Sequence, residues 1–290
     1  MTPLALALVL SSAVFHVAFN YLTKSTAHKA AFLWLMHAVF ALAYLPVYLF
    51  MGYGLSWPWM GWACLFGSGL IHTVYYWALG RSYEFGDLSL VYPLSRGTAV
   101  LLVAFFSVLF VGERPSALGS AGIASVLVGI YGLHLRSGSW KGVLRPFPPH
   151  RTPGWSWALL TGAAVGAYSL LDKVGVGFIS PAAYLYLLFL AAALFFAPVA
   201  FRGGKRPVAE TWRDEPGRVI AVGVCIPLAY LLILTAFTLA PVAYVVASRE
   251  VRLVLGTLAG AFLLREGQVG YRLAGSVFIL LGVILLALAK

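Results

Sequence analysis

The sequence predicts an all-helical, polytopic membrane protein with ten transmembrane helices in two inverted five-helix repeats. Three observations lead to this fold class. Of the 290 residues, 61% are hydrophobic and only 10% are charged, whereas about 25% of the residues in a soluble domain are charged. The apolar residues form ten runs close to the roughly 20 residues that cross a hydrocarbon core. The second half of the chain also resembles the first at a shift of 153 residues.

The ten apolar runs divide the chain into two halves of five spans each. They cover residues 3–22, 31–51, 58–80, 88–111, 116–135, 155–174, 181–201, 218–239, 241–264 and 270–289. The first run has neither a basic segment before it nor a small-residue cleavage site after it, so we interpret it as a span and not as a cleaved signal. A basic, Pro-rich connector at 137–154 separates the predicted repeats, 1–136 and 155–290. The connector at 202–218 is also too short to form a domain.

The repeat is carried by polar residues as well as by glycine. Eight of the 37 positions from 95 to 131 are identical at the shift of 153, and they include Ser95-Arg96 on Ser248-Arg249, Glu113 on Glu266, Gly122 on Gly275 and Gly129 on Gly282. The alternative is two unrelated bundles with coincidental matches. A second copy of a five-span unit enters the membrane from the opposite side, so we expect inverted repeats. This architecture is typical of alternating-access transporters, whose site lies near the midplane where the halves meet.

Four charged residues lie near the middle of predicted spans: Arg96 in the fourth, and Arg249, Glu250 and Arg252 in the ninth. An arginine at the centre of a span costs about 2.5–3.5 kcal/mol, so we expect these side chains to face a polar cavity or each other. Arginine stays charged, and its planar fork binds carboxylates and phosphates. The pattern therefore predicts a site for a small organic anion or zwitterion. The alternative is that Glu250 neutralises one arginine in a structural bridge, although one carboxylate cannot neutralise three.

Further candidates surround this centre. The predicted substrate-binding set is Arg96, Arg249, Arg252, Glu250, Lys24, Lys173, Asn20, Tyr92 and Tyr244. Lys24 and Lys173 end the first and sixth spans, where a lysine can also snorkel to the interface. Possible proton coupling is assigned to Glu250, His16, His37 and His72, with two alternatives: hydrogen-bonded core histidines, or exchange of two anions. We also expect a local Asp172–Lys173 ion pair, and carboxylates at Glu113 and Glu266 that cap the following helices.

Several function classes find no support in the sequence. The net charge of +11 does not indicate nucleic acid, because the basic residues lie in short connectors. Cys64 and Cys225 form no metal-ligand spacing, no ATP-binding loop is present, and we expect no metal, no cofactor and no enzymatic activity. The expected partners are a small-molecule substrate and membrane lipid, and no oligomer is required. Alternatives are an exporter of neutral or cationic hydrophobic compounds, a membrane-embedded enzyme on lipid-linked phosphates, and a transport-inactive partner or sensor.

Short motifs resemble the EamA branch of the drug/metabolite transporter superfamily. They are His16, Asn20 and Lys24 at the end of the first span, Tyr92-Pro93-Leu94-Ser95-Arg96-Gly97 in the fourth, and Gly112-Glu113 with Glu266 as its counterpart. The resemblance covers the whole chain, although Arg265-Glu266 stands where a Gly-Glu pair is usual. It implies secondary transport, often export, of small metabolites such as amino acids. A related branch binds sugar phosphates through lysine and arginine.

The resemblance and the charge distribution disagree about orientation. The family's usual cytoplasmic termini would leave fourteen of the twenty Lys and Arg residues on the outside. Cytoplasmic loops normally carry the excess of Lys and Arg, so we expect both termini outside. The predicted location is the plasma membrane, with multiple spans, and the lack of a transit peptide agrees with a bacterial inner membrane.

Overall fold

The computed structural model describes residues 1–86, 88–133, 154–255 and 269–289, and the regular secondary structure in these ranges is entirely helical. Within them, side chains are not described at positions 17, 18, 20, 24, 88–90 and 269–272. The helices are α1 (Pro3–Ser25), α2 (Lys29–Phe50), α3 (Trp59–Phe85), α4 (Leu88–Phe106), α5 (Ala117–Gly132), α6 (Trp155–Gly175), α7 (Pro181–Ala200), α8 (Arg206–Asp214), α9 (Pro216–Leu239), α10 (Val242–Ser248) and α11 (Val269–Leu288). A π-helical turn, Ser107–Val111, extends α4. The predicted 137–154 connector lies outside the described residues except for Gly154.

Length and composition identify five of these helical segments as able to cross a membrane: Pro3–Thr23, Lys29–Phe50, Val91–Val111, Pro181–Ala200 and Pro216–Leu239. Large apolar side chains such as Phe50, Leu42 and Phe110 are mostly exposed on the outer surface. Such a surface suits lipid, and helices satisfy their own backbone polar groups there. The apolar helices therefore indicate a multi-pass membrane protein.

The helices differ from the predicted spans in one connector. The sequence 202–218 contains α8, a short charged helix that the analysis of apolar runs left as a connector. Arg206 and Glu210 form an ion pair at 2.7 Å on this helix, and this contact lowers the pKa of the Glu210 carboxyl. Glu210 also bonds His28 at 3.2 Å, between α1 and α2. Helix α8 is thus attached to the end of α1 by polar contacts, which explains why hydropathy alone did not reveal it.

Packing brings the two halves of the chain together. α3 and α4 lie against α6, α1 lies against α9, α2 lies against α7 and α9, and α5 lies against α11. The two termini also meet, because the Met1 ammonium group donates to the carbonyl oxygen of Leu286 at 3.3 Å and to that of Ala289. Both ends of the chain therefore lie at the same end of the bundle.

Glycines allow α5 and α11 to touch along their backbones. A Cβ added at Gly129 would lie 2.6 Å from the carbonyl oxygen of Gly275, and one at Gly282 would lie 2.7 Å from that of Gly122. Ser125 Oγ donates to the carbonyl oxygen of Phe278 at 2.8 Å in the same contact. Small residues of this kind allow close helix packing in membranes.

We expect Gly129→Ala to destabilise the protein by about 1–3 kcal/mol, because the new methyl group forces these two backbones apart. Gly217→Ala is the matched control, since a Cβ at Gly217 meets no atom within 4 Å. Thermal unfolding of the purified proteins in detergent measures the difference. Equal unfolding temperatures for the two variants would contradict the tight α5–α11 contact.

Candidate functional site

A break in the ninth predicted span forms the centre of the site. Helix α10 ends at Ser248, a turn follows at 249–250, and residues 251–255 are helical again. The backbone N–H groups of Arg252 and Leu253 donate to the carbonyl oxygens of Arg249 and Glu250, three residues earlier. The prediction of one unbroken span over 241–264 was therefore wrong at this point, and 256–264 lie outside the described residues. Arg249, Glu250 and Arg252 are all buried at this turn.

The three intramembrane arginines border one cavity of about 20 Å³. Arg96 reaches it from α4, and Arg249 and Arg252 reach it from the break after α10. Histidines and aromatic rings supply most of the remaining wall, and the full lining is His16, Phe19, His72, Tyr75, Tyr76, Arg96, Tyr168, Phe189, Ile226, Tyr230, Arg249 and Arg252. This space accommodates about one water molecule, so the centre is contracted in this conformation.

Positive charge exceeds negative charge around the cavity. Arg252 Nη2 donates to Glu250 Oε1 at 2.7 Å, and both side chains are at most 2% exposed. Among the described residues, Arg249 Nε and Nη1 and Arg96 Nε have no hydrogen-bond partner. Glu250 thus neutralises Arg252, as the structural alternative predicted, and leaves the charges of Arg96 and Arg249 without a carboxylate in contact.

Tyrosine rings partly replace the missing negative charge. The guanidinium carbon of Arg96 lies 4.9 Å from the centre of the Tyr92 ring, and that of Arg252 lies 6.0 Å from the same ring. The guanidinium carbon of Arg249 lies 5.8 Å from the centre of the Tyr230 ring. The negative face of an aromatic ring attracts a cation at these distances. Tyr92, a predicted site residue, therefore supports two arginines at once.

The three histidines predicted for proton coupling each make the same type of hydrogen bond. Nδ1 of His16, His37 and His72 lies 2.9, 2.6 and 3.0 Å from the carbonyl oxygen four residues earlier. A carbonyl oxygen only accepts, so Nδ1 carries the hydrogen and Nε2 is the acceptor of the neutral ring. His16 and His72 border the cavity, whereas His37 packs edge-on against Tyr76 with ring centres 4.5 Å apart.

Lys173 lies away from the arginines. Its ammonium group donates to the carbonyl oxygens of Phe237 and Ala240 at 2.6 and 3.0 Å, and it lies 3.7 Å from Glu113. Glu113 Oε1 also accepts from the backbone N–H of Val242 at 2.8 Å. We call this group the Glu113–Lys173 clasp. Glu113 therefore caps α10 of the opposite half, and not the following helix α5, whose N-cap is Ser116.

The remaining predicted residues lie at a helix contact or outside the described part. The Tyr244 hydroxyl accepts from the backbone N–H of Ser116 at 3.0 Å, and a Cβ at Gly119 would collide with this tyrosine. Tyr244 thus packs α10 against the start of α5. The side chains of Asn20 and Lys24, and the whole of Glu266, are not among the described residues.

The environment of Asp172 differs from the one that the sequence predicts. This side chain is fully buried, and its Oδ1 accepts from Ser68 Oγ and from the Tyr184 hydroxyl at 2.8 Å. Its Oδ2 accepts from the Tyr230 hydroxyl. The predicted ion pair with Lys173 does not form, because adjacent residues of a helix point about 100° apart. That geometry is readable from the sequence, but the three hydroxyl partners from other helices are not.

A larger cavity of about 280 Å³ lies beside the central one. It opens where α2 begins and where α3 and α7 end, and it is lined by charged residues such as Lys29, Arg81 and Glu84. Tyr76 borders both cavities. Its ring therefore stands between the surface cavity and the arginines.

We expect Glu113→Ala to lower the stability by about 1–3 kcal/mol, because it removes the carboxylate beside the Lys173 charge and the acceptor of the N–H group at the start of α10. Glu113→Gln keeps an acceptor oxygen and is expected to lie between Glu113→Ala and the wild type. Glu84→Ala is the control, since Glu84 forms an exposed pair with Arg81. Thermal unfolding followed by intrinsic fluorescence measures the order, and a Glu113→Ala protein as stable as the control would contradict the clasp.

Comparisons with known proteins agree with the membrane fold. A solved structure described only as a crystal structure of a protein is similar over 98% of this chain and 97% of its own, with a TM-score of 0.72 and 18% sequence identity. At that identity the likeness concerns the fold alone. No curated protein sequence matches the chain. Residues 152–288 match the EamA-like transporter family. This segment, which makes up most of the second predicted repeat, is therefore similar to the EamA-like transporter family.

Proposed function

We propose that this EamA-like protein is a secondary transporter that moves a small organic anion or zwitterion through the central cavity by alternating access. The observation that carries the proposal is the excess of buried positive charge: three guanidinium groups border the cavity, and among the described residues one carboxylate, that of Glu250, is in contact with them. A buried charge without a partner is strongly unfavourable. A carboxylate or phosphate bound between Arg96 and Arg249 would supply the missing charge, and their planar forks suit its geometry.

The two halves act in this proposal as inverted repeats, and the α5–α11 contact supports that relation. The shift of 153 pairs Gly122 with Gly275 and Gly129 with Gly282. The backbone contact between Gly129 and Gly275 therefore has an exchanged counterpart between Gly282 and Gly122. Reciprocal contacts of this kind are characteristic of a twofold axis. Ser125 and Phe278, which bond each other, are also a matched pair at this shift.

The packing of the longer helices shows the same symmetry: contacts between the halves have counterparts when the two halves are interchanged. If the first five spans correspond to α1–α5 and the second five begin at α6, the contact of α1 with α9 corresponds to that of α6 with α3. The contact of α2 with α7 corresponds to itself, and that of α2 with α9 corresponds to that of α7 with α3. Arg96 and Arg249 are equivalent positions that meet at one cavity. A site on the axis between two inverted halves is the arrangement expected for alternating access.

The two ends of the bundle suggest which state this conformation represents. At one end, the Glu113–Lys173 clasp joins the end of α4 and its π-helical turn to α6, α9 and α10. At the other end, the cavity of about 280 Å³ reaches Tyr76. The central space of about 20 Å³ is too small for a metabolite, so substrate entry requires Tyr76 and its neighbours to move. We assign the clasp to the closed side and Tyr76 to the side through which substrate enters in this state.

A second candidate is the export of neutral or cationic hydrophobic compounds, with the arginines in a structural role. Its support is the aromatic wall formed by Phe19, Tyr75, Tyr168, Phe189 and Tyr230. Aromatic faces bind apolar rings and cations. Competition between anionic and cationic solutes in proteoliposomes separates this function from anion transport.

We expect Arg96→Gln and Arg249→Gln to weaken anion binding about 10-fold to 150-fold, the effect of losing a charge-assisted hydrogen bond of about 1.5–3 kcal/mol. The probes are a carboxylate, an amino acid and an organic phosphate, and the readout is the shift in unfolding temperature on ligand addition. Arg206→Gln is the control, because Arg206 is exposed on α8.

The stability of the free variants separates the two candidates. If the arginines form an anion site, Arg249→Gln removes an uncompensated buried charge, and the free protein keeps or gains stability. If they are structural, the variant loses stability. Variants that fold and bind every tested anion as the wild type does would disprove the anion site.

The orientation that we propose places both termini outside, since they lie at the same end of the bundle and the described basic segments around Lys29, Arg81 and Pro207 lie together at the other. The excess of Lys and Arg then faces the cytoplasm. Reporter fusions after Lys290, with one active only in the cytoplasm and one only outside it, test this assignment. We expect the external reporter to be active, and cytoplasmic activity would reverse it.

A further inference from the structure

Asp172 is the least exposed carboxylate near the cavity, with no accessible surface. It lies on α6, and each of its partners comes from a different helix: Ser68 from α3, Tyr184 from α7 and Tyr230 from α9. Unlike Glu250, it has no Lys or Arg within ion-pair distance in the described part of the chain. A carboxylate held by hydroxyl groups alone lacks the cationic partner that would keep it charged.

The hydroxyl partners fit both protonation states. Each can donate to an ionised carboxylate, and each oxygen can also accept from a protonated one. Protonated at Oδ2, Asp172 would donate to the Tyr230 oxygen, and the Tyr230 hydrogen would then turn away from Asp172. Asp172 therefore keeps a hydrogen bond at each carboxyl oxygen in both protonation states.

Tyr230 connects this site to the arginines. Its hydroxyl bonds Asp172, its ring lies 5.8 Å from the guanidinium carbon of Arg249, and it lines the central cavity. A second connection runs from Ser68, whose Oγ lies 3.2 Å from His72 Nδ1, to the cavity wall where His72 stacks on Tyr168 at 4.0 Å. A change at Asp172 thus reaches the cavity through two sets of direct contacts.

We propose that Asp172 is a proton-binding site and that its proton is taken up together with the substrate anion. This inference rests on the proposed anion transport and names its coupling ion. A proton from water binds Asp172 Oδ2, no bond other than this O–H forms or breaks, and the Tyr230 hydroxyl turns toward the cavity. Protonation removes a negative charge near Arg249 and adds a hydrogen-bond donor, so both changes strengthen anion binding. By thermodynamic reciprocity, the bound anion strengthens proton binding to the same extent.

Other groups face Asp172 and contribute to its field. From α3 these are Cys64 and Tyr76, from α7 and α9 they are Tyr184 and Tyr230, and from the break after α10 it is Arg249. His72 contacts Ser68, which in turn bonds Asp172. Lys173, next to Asp172 on α6, is bound in the clasp. The positive charge of Arg249 disfavours protonation of Asp172, and a protonated His72 would do the same. An anion at Arg249 reduces that opposition, which is the physical basis of the coupling.

Infrared spectroscopy of the full-length protein in lipid tests the proton site without any ligand. In a pH titration, we expect the wild type and Glu250→Gln to share one C=O band of a protonated carboxylic acid that is missing from Asp172→Asn, beyond the bands that the other carboxyl groups give in all three proteins. Identical bands in the wild type and in Asp172→Asn at every pH would overturn the proposal. Tyr230→Phe keeps the carboxyl group and removes one hydrogen bond, so it is expected to shift the band. If Asp172→Asn does not fold, Tyr230→Phe becomes the test, and a C=O band at the wild-type position in that variant overturns the site.

Binding of methanesulfonate, a probe whose charge is constant across the titration, tests the coupling. Above the pH at which Asp172 loses its proton, we expect the affinity of the wild type for methanesulfonate to fall by up to about tenfold per pH unit. This is the limit for one linked proton. Asp172→Asn mimics the protonated state and is expected to bind with high affinity at every pH. The same pH dependence in both proteins would overturn the coupling. A wild type that binds no anion but retains the infrared band would instead refute the proposed function and leave the proton site standing.

Discussion

Three guanidinium groups in the middle of an apolar bundle are the constraint on which the rest of this structure depends. On the insertion scale they cost on the order of 8–10 kcal/mol if they face lipid, comparable with the whole stability of a domain. The structure meets this cost by directing all three inward. The segment that carries Arg249, Glu250 and Arg252 is buried on all sides, and its helix is interrupted after Ser248. One carboxylate and the rings of Tyr92 and Tyr230 then supply part of the opposing charge.

Close backbone contacts hold this polar centre between the two halves. Gly162 is one example, since a Cβ there would collide with the carbonyl oxygen of Ser95, directly before Arg96. The α5–α11 contact joins the halves at their ends in the same way. The Glu113–Lys173 clasp is different, because its contacts are polar and involve four separate elements. Polar contacts between helices can break in favour of water, whereas a backbone contact between glycines has no such alternative. The polar contact is therefore the better candidate for a closure that opens and closes.

The sequence predicted the helices well because a single physical variable, the length of an apolar run, determines them. The helices α2, α7 and α9 begin and end within a few residues of the runs 31–51, 181–201 and 218–239. Charge inside the spans likewise identified Arg96, Arg249 and Arg252. The errors lie where partners come from distant parts of the chain. Glu113 was expected to cap the next helix but caps α10, and Asp172 was expected to pair with its neighbour but bonds three other helices. Neither choice follows from sequence spacing, since both depend on how the halves dock.

The position of Tyr230 explains why the anion site and the proposed proton site should influence each other. Coupling between two sites requires that each ligand change what the other binds to. Tyr230 has one hydroxyl hydrogen, and it can point to Asp172 or toward the cavity, but not to both. Its ring also lies close to Arg249, so a change in its hydrogen bond occurs next to the charge that would hold the anion. Glu250 lacks such a link, because Arg252 already occupies one of its oxygens at 2.7 Å. A proton on Glu250 would break an ion pair, whereas a proton on Asp172 only reverses a hydrogen bond. The smaller disturbance favours Asp172 as the group that can gain and lose a proton in each transport cycle.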